Sequence, residues 1–150
     1  MIPDINVLVA ASRADHVHHK PALAWLNRAI ARCDSGGSIE LLPMVGAGFL
    51  RLVTNSRVFV EPTPIEAATD FLDALLAIPG VEIAPVGSEW PTLRSLVVDK
   101  RLSGNDIPDA WIAAAVKAID GHLATFDRGF ARLLGRRELT VLAPSAPRNR

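Results

Sequence analysis

Three aspartates that lie far apart in the chain occupy positions where a carboxylate can take part in chemistry. Asp4 ends the first apolar run, Asp127 follows the short apolar segment 122–125, and Asp109 falls in the first turn of a helix predicted over 103–121. In open α/β sheets, ligands bind at the carboxyl ends of the strands. Carboxylates that converge there raise one another's pKa values. The pattern predicts a site for Mg²⁺ or Mn²⁺, because hard cations prefer oxygen ligands and can activate water against a phosphodiester.

Each aspartate also has a purely structural interpretation. Asp109 favours the helix dipole wherever it lies in a first turn, Asp127 suits a helix N-cap, and Asp4 suits a turn. Asp106, one turn before Asp109, or Ile107 is predicted to lie near the N-cap of the same helix. Spacing alone leaves these alternatives open.

The elements that must position these acids alternate along the chain. A parallel sheet with helices on both faces is the architecture that short apolar strands separated by helices favour. Asp15 and Ser88 are the predicted N-caps of two helices, and Gly121 is the predicted terminator of another. The first predicted strand ends at Asp4, and the others span 39–42, 81–84, 122–125 and 139–142. The predicted helices span 15–27, with an apolar stripe that continues to Ile30, and 44–54, 64–78, 88–99, 103–121 and, as a short one, 127–135.

Composition limits the classes of protein to consider. A chain of 150 residues with 49% hydrophobic and 21% charged residues predicts one globular domain. We place that domain at 1–143, followed by a flexible Pro-rich tail at 144–150. No apolar run approaches the roughly 20 residues of a membrane span. The single cysteine, Cys33, cannot form an internal disulfide, which favours a reducing cytoplasm. A formal net charge of zero gives no general argument for nucleic-acid binding.

Several segments, taken in order, resemble one known family. Together they look like the PIN-domain family, and two of them resemble its VapC-type toxins; the similarity runs from residue 1 to about 143. The PIN-like segments are DINVL at 4–8, DAWIAA at 109–114 and TFDRGF at 125–130, and the VapC-like ones are FLRLVT at 49–54 and Asp15-His16 with His19.

The resemblance implies a three-layer α/β fold with a short, mostly parallel central sheet. It also implies a Mg²⁺- or Mn²⁺-dependent endoribonuclease that acts as the toxin of a VapBC-type toxin–antitoxin pair. Its partners would be RNA, a cognate VapB-type antitoxin and a second copy of the chain, in the cytoplasm and without a membrane.

The resemblance also assigns roles to individual residues. Asp4, Asp109 and Asp127 match the metal-binding, catalytic aspartates. Asn6 and Thr125 match polar positions beside them. Arg51 or Arg128 is a candidate bidentate partner for an RNA phosphate.

One departure from the family pattern concerns a fourth acid. Many PIN domains carry a glutamate on the helix after the second strand, but here that place falls at or near Gly48. Asp106 is the predicted substitute. The missing acid keeps open an alternative function, a weakly active or non-catalytic PIN-like RNA-binding protein. A phosphoacceptor receiver domain is disfavoured, because no lysine follows Lys117.

Other conspicuous side chains have ordinary interpretations. His16, His18 and His19 are predicted to lie on a helix surface, since their spacing does not converge and imidazole does not suit Mg²⁺. Trp25 and Trp111 lie within apolar helical stripes and are predicted to pack in the core.

Overall fold

The computed structural model describes residues 1–144, so residues 145–150 of the predicted tail lie outside the described part of the chain. Strands and helices alternate as predicted. The strands are β1 (Ile2–Pro3), β2 (Ile39–Leu41), β3 (Val81–Ile83), β4 (Leu123–Thr125) and β5 (Leu139–Val141). The helices are α1 (Ile5–Ser12), α2 (His19–Cys33), α3 (Pro43–Val53), α4 (Ile65–Leu76), α5 (Trp90–Asp99), α6 (Asp106–Ala118) and a 3₁₀ helix (Arg128–Arg132).

All strand pairs are parallel. β4 lies between β1 and β5, with Ile2 opposite Leu123, and β2 pairs with β3. The Glu40 N–H donates to the Met1 carbonyl at 2.9 Å and links the two groups of strands. The spatial order is therefore β3-β2-β1-β4-β5, and the carboxyl ends of β1 and β4 are neighbours. The three-layer α/β prediction is confirmed by this arrangement and by its match to a known fold reported below.

Helix α1 is the main element that sequence patterns did not predict. Residues 5–12 were not assigned to a helix, but the chain turns helical directly after Asp4. Residues 7–11 are all buried. A helix covered on every side has no polar face and therefore shows no helical periodicity. β1 is consequently only two residues long, and Asp4 stands at the junction of strand and helix.

Helix α6 is the buried helix that carries Asp109. Its buried residues are 110 and 112–116, as the apolar sequence predicts. The prediction that Trp111 packs in the core is wrong, because Trp111 is 40% exposed and its indole N–H donates to Glu89 at 2.9 Å. Trp25 is buried, which confirms the second tryptophan assignment.

The end of α6 is a Schellman motif. Asp120 takes the left-handed conformation, with φ 51°, and the Gly121 N–H donates to the Val116 carbonyl at 2.8 Å. Gly121 follows the turn, and a Cβ there would lie 2.4 Å from the Ile2 Cδ1 atom. Gly121 is thus required by close packing against β1, and not by its backbone angle as a helix terminator.

Two predicted caps are wrong. Asp15 does not begin α2, which starts at His19; Asp15 forms an ion pair with Arg13 instead. Ser88 does not cap α5, whose N-cap residue is Glu89. Both segments contain extra turn residues before the helix, which shifts the start by two to four positions. None of the helices formed by residues 1–144 is long and apolar enough to cross a bilayer.

Candidate metal centre

Asp4 occupies the point where β1 ends and α1 begins. Its carboxylate caps α1, since Oδ1 accepts the Ile5 N–H at 2.7 Å. The side chain is nearly buried, with the residue 4% exposed. The Asp4 N–H donates to the Ala124 carbonyl at 2.9 Å, which fixes the residue against β4. Asp4 is therefore both a helix cap and a buried acid, so the two interpretations of this residue are compatible.

A closed network of hydrogen bonds holds the second oxygen of Asp4. Thr125 Oγ1 donates to Asp4 Oδ2 at 2.6 Å, and Asn6 Nδ2 donates to the same oxygen at 2.7 Å. Asn6 Nδ2 also lies 2.9 Å from Thr125 Oγ1, and Asn6 Oδ1 accepts the Phe126 N–H at 3.1 Å. The two polar positions predicted beside the aspartates are thus in direct contact with Asp4.

Asp127 is tied to the same network through the backbone. Its N–H donates to Thr125 Oγ1 at 2.9 Å. Its carboxylate caps the 3₁₀ helix, with Oδ1 accepting the Gly129 N–H at 2.6 Å. A Cβ at Gly129 would lie 2.9 Å from that oxygen, so glycine leaves room for the carboxylate. Asp127 is exposed to solvent at the mouth of the site.

The pKa of Asp4 is raised to about 6. Burial is the largest cause, since desolvation disfavours the charged carboxylate. The hydrogen bonds from Thr125 and Ile5 act in the opposite direction, while the charges of Asp109 and Asp127 raise the pKa further. The three predicted acids are therefore close enough to act on one another electrostatically.

The pKa of Asp109 is raised as well. Burial is again the main cause, and the negative charge of Asp127 is the next. Arg132 acts against this increase, and Asp106 adds to it. A cluster of carboxylates whose charged forms are disfavoured is a favourable place for a cation.

Asp106 forms an ion pair at the edge of this cluster. Its Oδ1 accepts a hydrogen bond from Arg132 Nη2 at 2.5 Å, and the two side chains are 40% and 53% exposed. Sequence patterns did not single out Arg132, because 26 residues separate the partners. The available signal is the position of Arg132 five residues after Asp127, two residues beyond the PIN-like segment 125–130.

Comparison with known proteins agrees with this arrangement. The sequence model of the PIN domain matches residues 1–134. The chain belongs to the PIN-domain family. The VapC ribonuclease Mb2897 of Mycobacterium bovis is 42% identical over 130 residues, which are 86% of each chain. Ribonuclease VapC25 of Mycobacterium tuberculosis is 37% identical over 139 residues, 91% of this chain and 94% of the relative. The resemblance to VapC-type members is confirmed.

A solved structure shares the fold of this PIN domain. The crystal structure of VapBC2 from Rickettsia felis, bound to a DNA fragment from its promoter, superposes with a TM-score of 0.64. The match covers 95% of this chain and 98% of that one at 20% sequence identity. At that identity the likeness establishes the fold alone, and it confirms the predicted three-layer architecture.

The position of the absent family glutamate is closed in this PIN domain. A Cβ at Gly48 would lie 2.4 Å from Cδ1 and 3.0 Å from Cγ1 of Ile5, the residue after Asp4. Helices α1 and α3 therefore approach closely at this point. A glutamate at Gly48 would require the Ile5 side chain to move.

In the described part of the chain, the candidate arginines do not contact the acids through hydrogen bonds, and the histidines lie around the start of α2. Arg51 is in the last turn of α3, about 12 Å along that helix from its start. Arg128 directly follows Asp127 and is exposed. Within residues 1–144, no hydrogen bond joins either arginine to the acid cluster.

His18 stacks on Phe126 with ring centroids 4.8 Å apart, and the three histidines precede or begin α2 at half-buried positions.

The described residues do not contain a complete coordination shell. Across residues 1–144, no three His, Cys, Asp or Glu side chains are arranged to hold a metal ion directly. Mg²⁺ usually keeps several of its waters and is held through one or two carboxylates. Electrostatically coupled acids at this edge of the sheet match that mode of binding, in which water completes the shell.

Proposed function

We propose that this chain is a metal-dependent endoribonuclease that acts as the toxin of a VapBC-type toxin–antitoxin pair and hydrolyses RNA phosphodiester bonds. Membership of the PIN-domain family and the VapC relatives support this activity. The observation that carries it is Asp4, a buried carboxylate with a raised pKa beside two further acids. Capping α1 uses only Oδ1 of Asp4, whereas a cation would use the charge of all three acids.

We further propose that Asp4, Asp109 and Asp127 hold the cation, which is Mg²⁺ or Mn²⁺. The donor set fits, because it offers carboxylate oxygens and no sulfur or imidazole. Asp4 Oδ2 already accepts two hydrogen bonds, whereas Oδ1 accepts one. A carboxylate oxygen has two lone pairs, so Oδ1 of Asp4 keeps one for a cation or its water.

The contacts of each residue suggest its role in the reaction. A bound divalent cation supplies a Lewis acid that polarises the phosphate and lowers the pKa of water. Thr125 and Asn6 orient the Asp4 carboxylate by direct hydrogen bonds. Asp109 and Asp127 are the more accessible acids, and they can accept a proton from an attacking water. Arg51 and Arg128 remain candidates for the phosphate contact.

Partners and location belong to the same proposal. The substrate is RNA, the inhibitor is a cognate VapB-type antitoxin, and the working form is a homodimer in the cytoplasm. The Rickettsia felis complex, named as a VapBC pair, supports an antitoxin partner. The free Cys33 suits a reducing compartment.

The activity is tested with purified protein and total RNA in Mn²⁺, with and without EDTA. Cleavage should require Mn²⁺ or Mg²⁺, stop in EDTA and be lost in Asp109→Asn, which changes one half-buried carboxylate to an isosteric amide. Circular dichroism and thermal melting check that the variant is folded. RNA binding without cleavage in every metal would instead favour the alternative, a non-catalytic PIN-like RNA-binding protein.

A further inference from the structure

Arg132 places a guanidinium beside the acid cluster. It ends the 3₁₀ helix that Asp127 caps, and its Nη2 donates to Asp106 Oδ1 in the first turn of α6. The short helix therefore carries an acid of the site at one end and a cation at the other. Arg132 is 53% exposed at its side chain, so the guanidinium faces solvent as well as Asp106.

The contact with Asp106 leaves most of the guanidinium available. An arginine has five N–H donors in a planar fork, and among residues 1–144 only Asp106 accepts a hydrogen bond from Arg132. The positive charge also reaches the site, because it opposes the rise in the pKa of Asp109. Planar forks of this kind bind phosphate oxygens in pairs.

We propose that Arg132 binds the RNA phosphate next to the scissile one, and that Asp106 is the residue that orients it and not an additional metal ligand. The inference rests on the proposed ribonuclease function. It assigns the phosphate contact to a residue with an anchored side chain. An exposed arginine without an anchor loses more conformational entropy when it binds.

The ion pair itself explains why Asp106 is better suited to orienting than to ligation. Its Oδ1 already accepts a hydrogen bond from the Arg132 guanidinium, and a metal ion on the same carboxylate would be repelled by that positive charge. Surface ion pairs of this exposure contribute little to stability, about 0–1 kcal/mol. The pair is therefore not needed for folding, and variants of either partner should remain folded.

The test compares Arg132→Ala with Arg136→Ala, which removes an equal charge from an exposed position in the turn before β5. Binding of a short single-stranded RNA is measured by fluorescence anisotropy in Ca²⁺ over a series of salt concentrations, after confirming that the RNA stays intact. Arg132→Ala should lose about tenfold in affinity, and its salt slope should fall by about 0.7, the value for one single-strand phosphate contact. Arg136→Ala should retain the slope of the wild type.

Two further variants separate the role of the fork from that of charge. Arg132→Lys keeps the charge but not the bidentate geometry, and should recover less than half of the lost affinity on a logarithmic scale. Asp106→Asn should weaken RNA binding about threefold, because Arg132 loses its charged partner, while Mn²⁺ affinity measured by electron paramagnetic resonance stays within about twofold.

The outcomes separate this inference from the proposed function. If the wild type cleaves RNA but Arg132→Ala and Arg136→Ala bind it equally well, the role of Arg132 is wrong and the nuclease assignment stands. A tenfold loss of Mn²⁺ affinity in Asp106→Asn would show that Asp106 is a metal ligand after all. If the wild type neither binds nor cleaves RNA under any metal, the proposed function itself is wrong.

Discussion

The candidate site has two halves that are built differently. We call Asp4, Asn6 and Thr125 the inner half and Asp106, Asp109, Asp127 and Arg132 the outer half. The inner half lies at the ends of β1 and β4, where Asp4 is 4% and Thr125 0% exposed. The side chains of the inner half bond to one another and to the backbone of α1 and of the segment after β4, and the Asp127 N–H, donating to Thr125, links them to the outer half. The outer half lies on α6 and the 3₁₀ helix, and its members are half-buried or exposed.

The inner half has a fixed geometry, whereas the charged side chains of the outer half can change their positions. A buried carboxylate that accepts three hydrogen bonds has one orientation, and moving it would leave buried donors unpaired at a cost of about 1–3 kcal/mol. The outer acids are held by a cap and by a surface ion pair, which are weak constraints. The inner half thus defines where a cation binds, and the outer half adapts to the cation and to RNA.

The largest expected effect is on cleavage, and it differs between the halves. Asp4→Asn should slow single-turnover cleavage in Mn²⁺ by about 1000-fold, or about 4 kcal/mol of activation free energy. Asp127→Asn should slow it by only about 10–100-fold, because water can replace an exposed ligand. Equal losses in the two folded variants would contradict the division into halves.

Thr125→Val tests the rigidity of the inner half. The substitution keeps the shape but removes the donor to Asp4 and the acceptor for Asn6 and Asp127. The free energy of unfolding in urea should fall by about 3 kcal/mol, since several buried partners lose a hydrogen bond. The control is Thr69→Val, whose hydroxyl only bonds to carbonyls of its own helix. A loss below 1 kcal/mol at Thr125 would show that the network is not rigid.

The raised pKa of Asp4 predicts how stability without metal depends on pH. The carboxyl binds its proton more tightly in the folded state, where the pKa is about 6, than in the unfolded chain. The cost of burying the charge is therefore fully present above pH 6, and it disappears as the pH falls toward the pKa of 3.8 that an aspartate has in an unfolded chain. In EDTA, the free energy of unfolding of Asp4→Asn minus that of the wild type should therefore be larger at pH 7.5 than at pH 4.5, by about 2 kcal/mol.

Thermal or urea unfolding of both proteins at the two pH values measures this difference. The comparison isolates residue 4, because all other residues are the same in both proteins. If the stability difference does not change with pH, burial of Asp4 does not raise its pKa, and the electrostatic basis of the inner half is lost.

The sequence predicted the inner half better than the outer half. Strand ends are visible in short apolar runs, so Asp4 could be placed at the carboxyl edge of a parallel sheet, as could Asp127 of the outer half. The family resemblance added Asn6 and Thr125, which the structure places in contact with Asp4. The role of the aspartates as ligands remains a prediction, because it depends on a cation.

The parts that sequence patterns missed depend on long-range contacts or complete burial. Helix α1 is buried on all sides and so lacks a helical period. The pair of Asp106 and Arg132 joins two helices across 26 residues, and no local rule couples such positions. Gly48 was noticed only as a missing acid, whereas its cause is the close approach of Ile5.

The smallest effect expected concerns the adjustability of the outer half. In Gly129→Ala the new Cβ would lie 2.9 Å from Asp127 Oδ1, so the carboxylate must turn while its backbone stays in place. Gly135→Ala is a matched control, because its amide also donates to a carboxylate, that of Glu138, but the new Cβ would have an ordinary contact distance of 3.5 Å. Mn²⁺ affinity should fall about fivefold, or about 1 kcal/mol, in Gly129→Ala and remain unchanged in Gly135→Ala. If Gly129→Ala lowers Mn²⁺ affinity as much as Asp4→Asn does in the same assay, Asp127 is held as rigidly as the inner half. If Gly129→Ala leaves Mn²⁺ affinity unchanged, Asp127 does not face the cation.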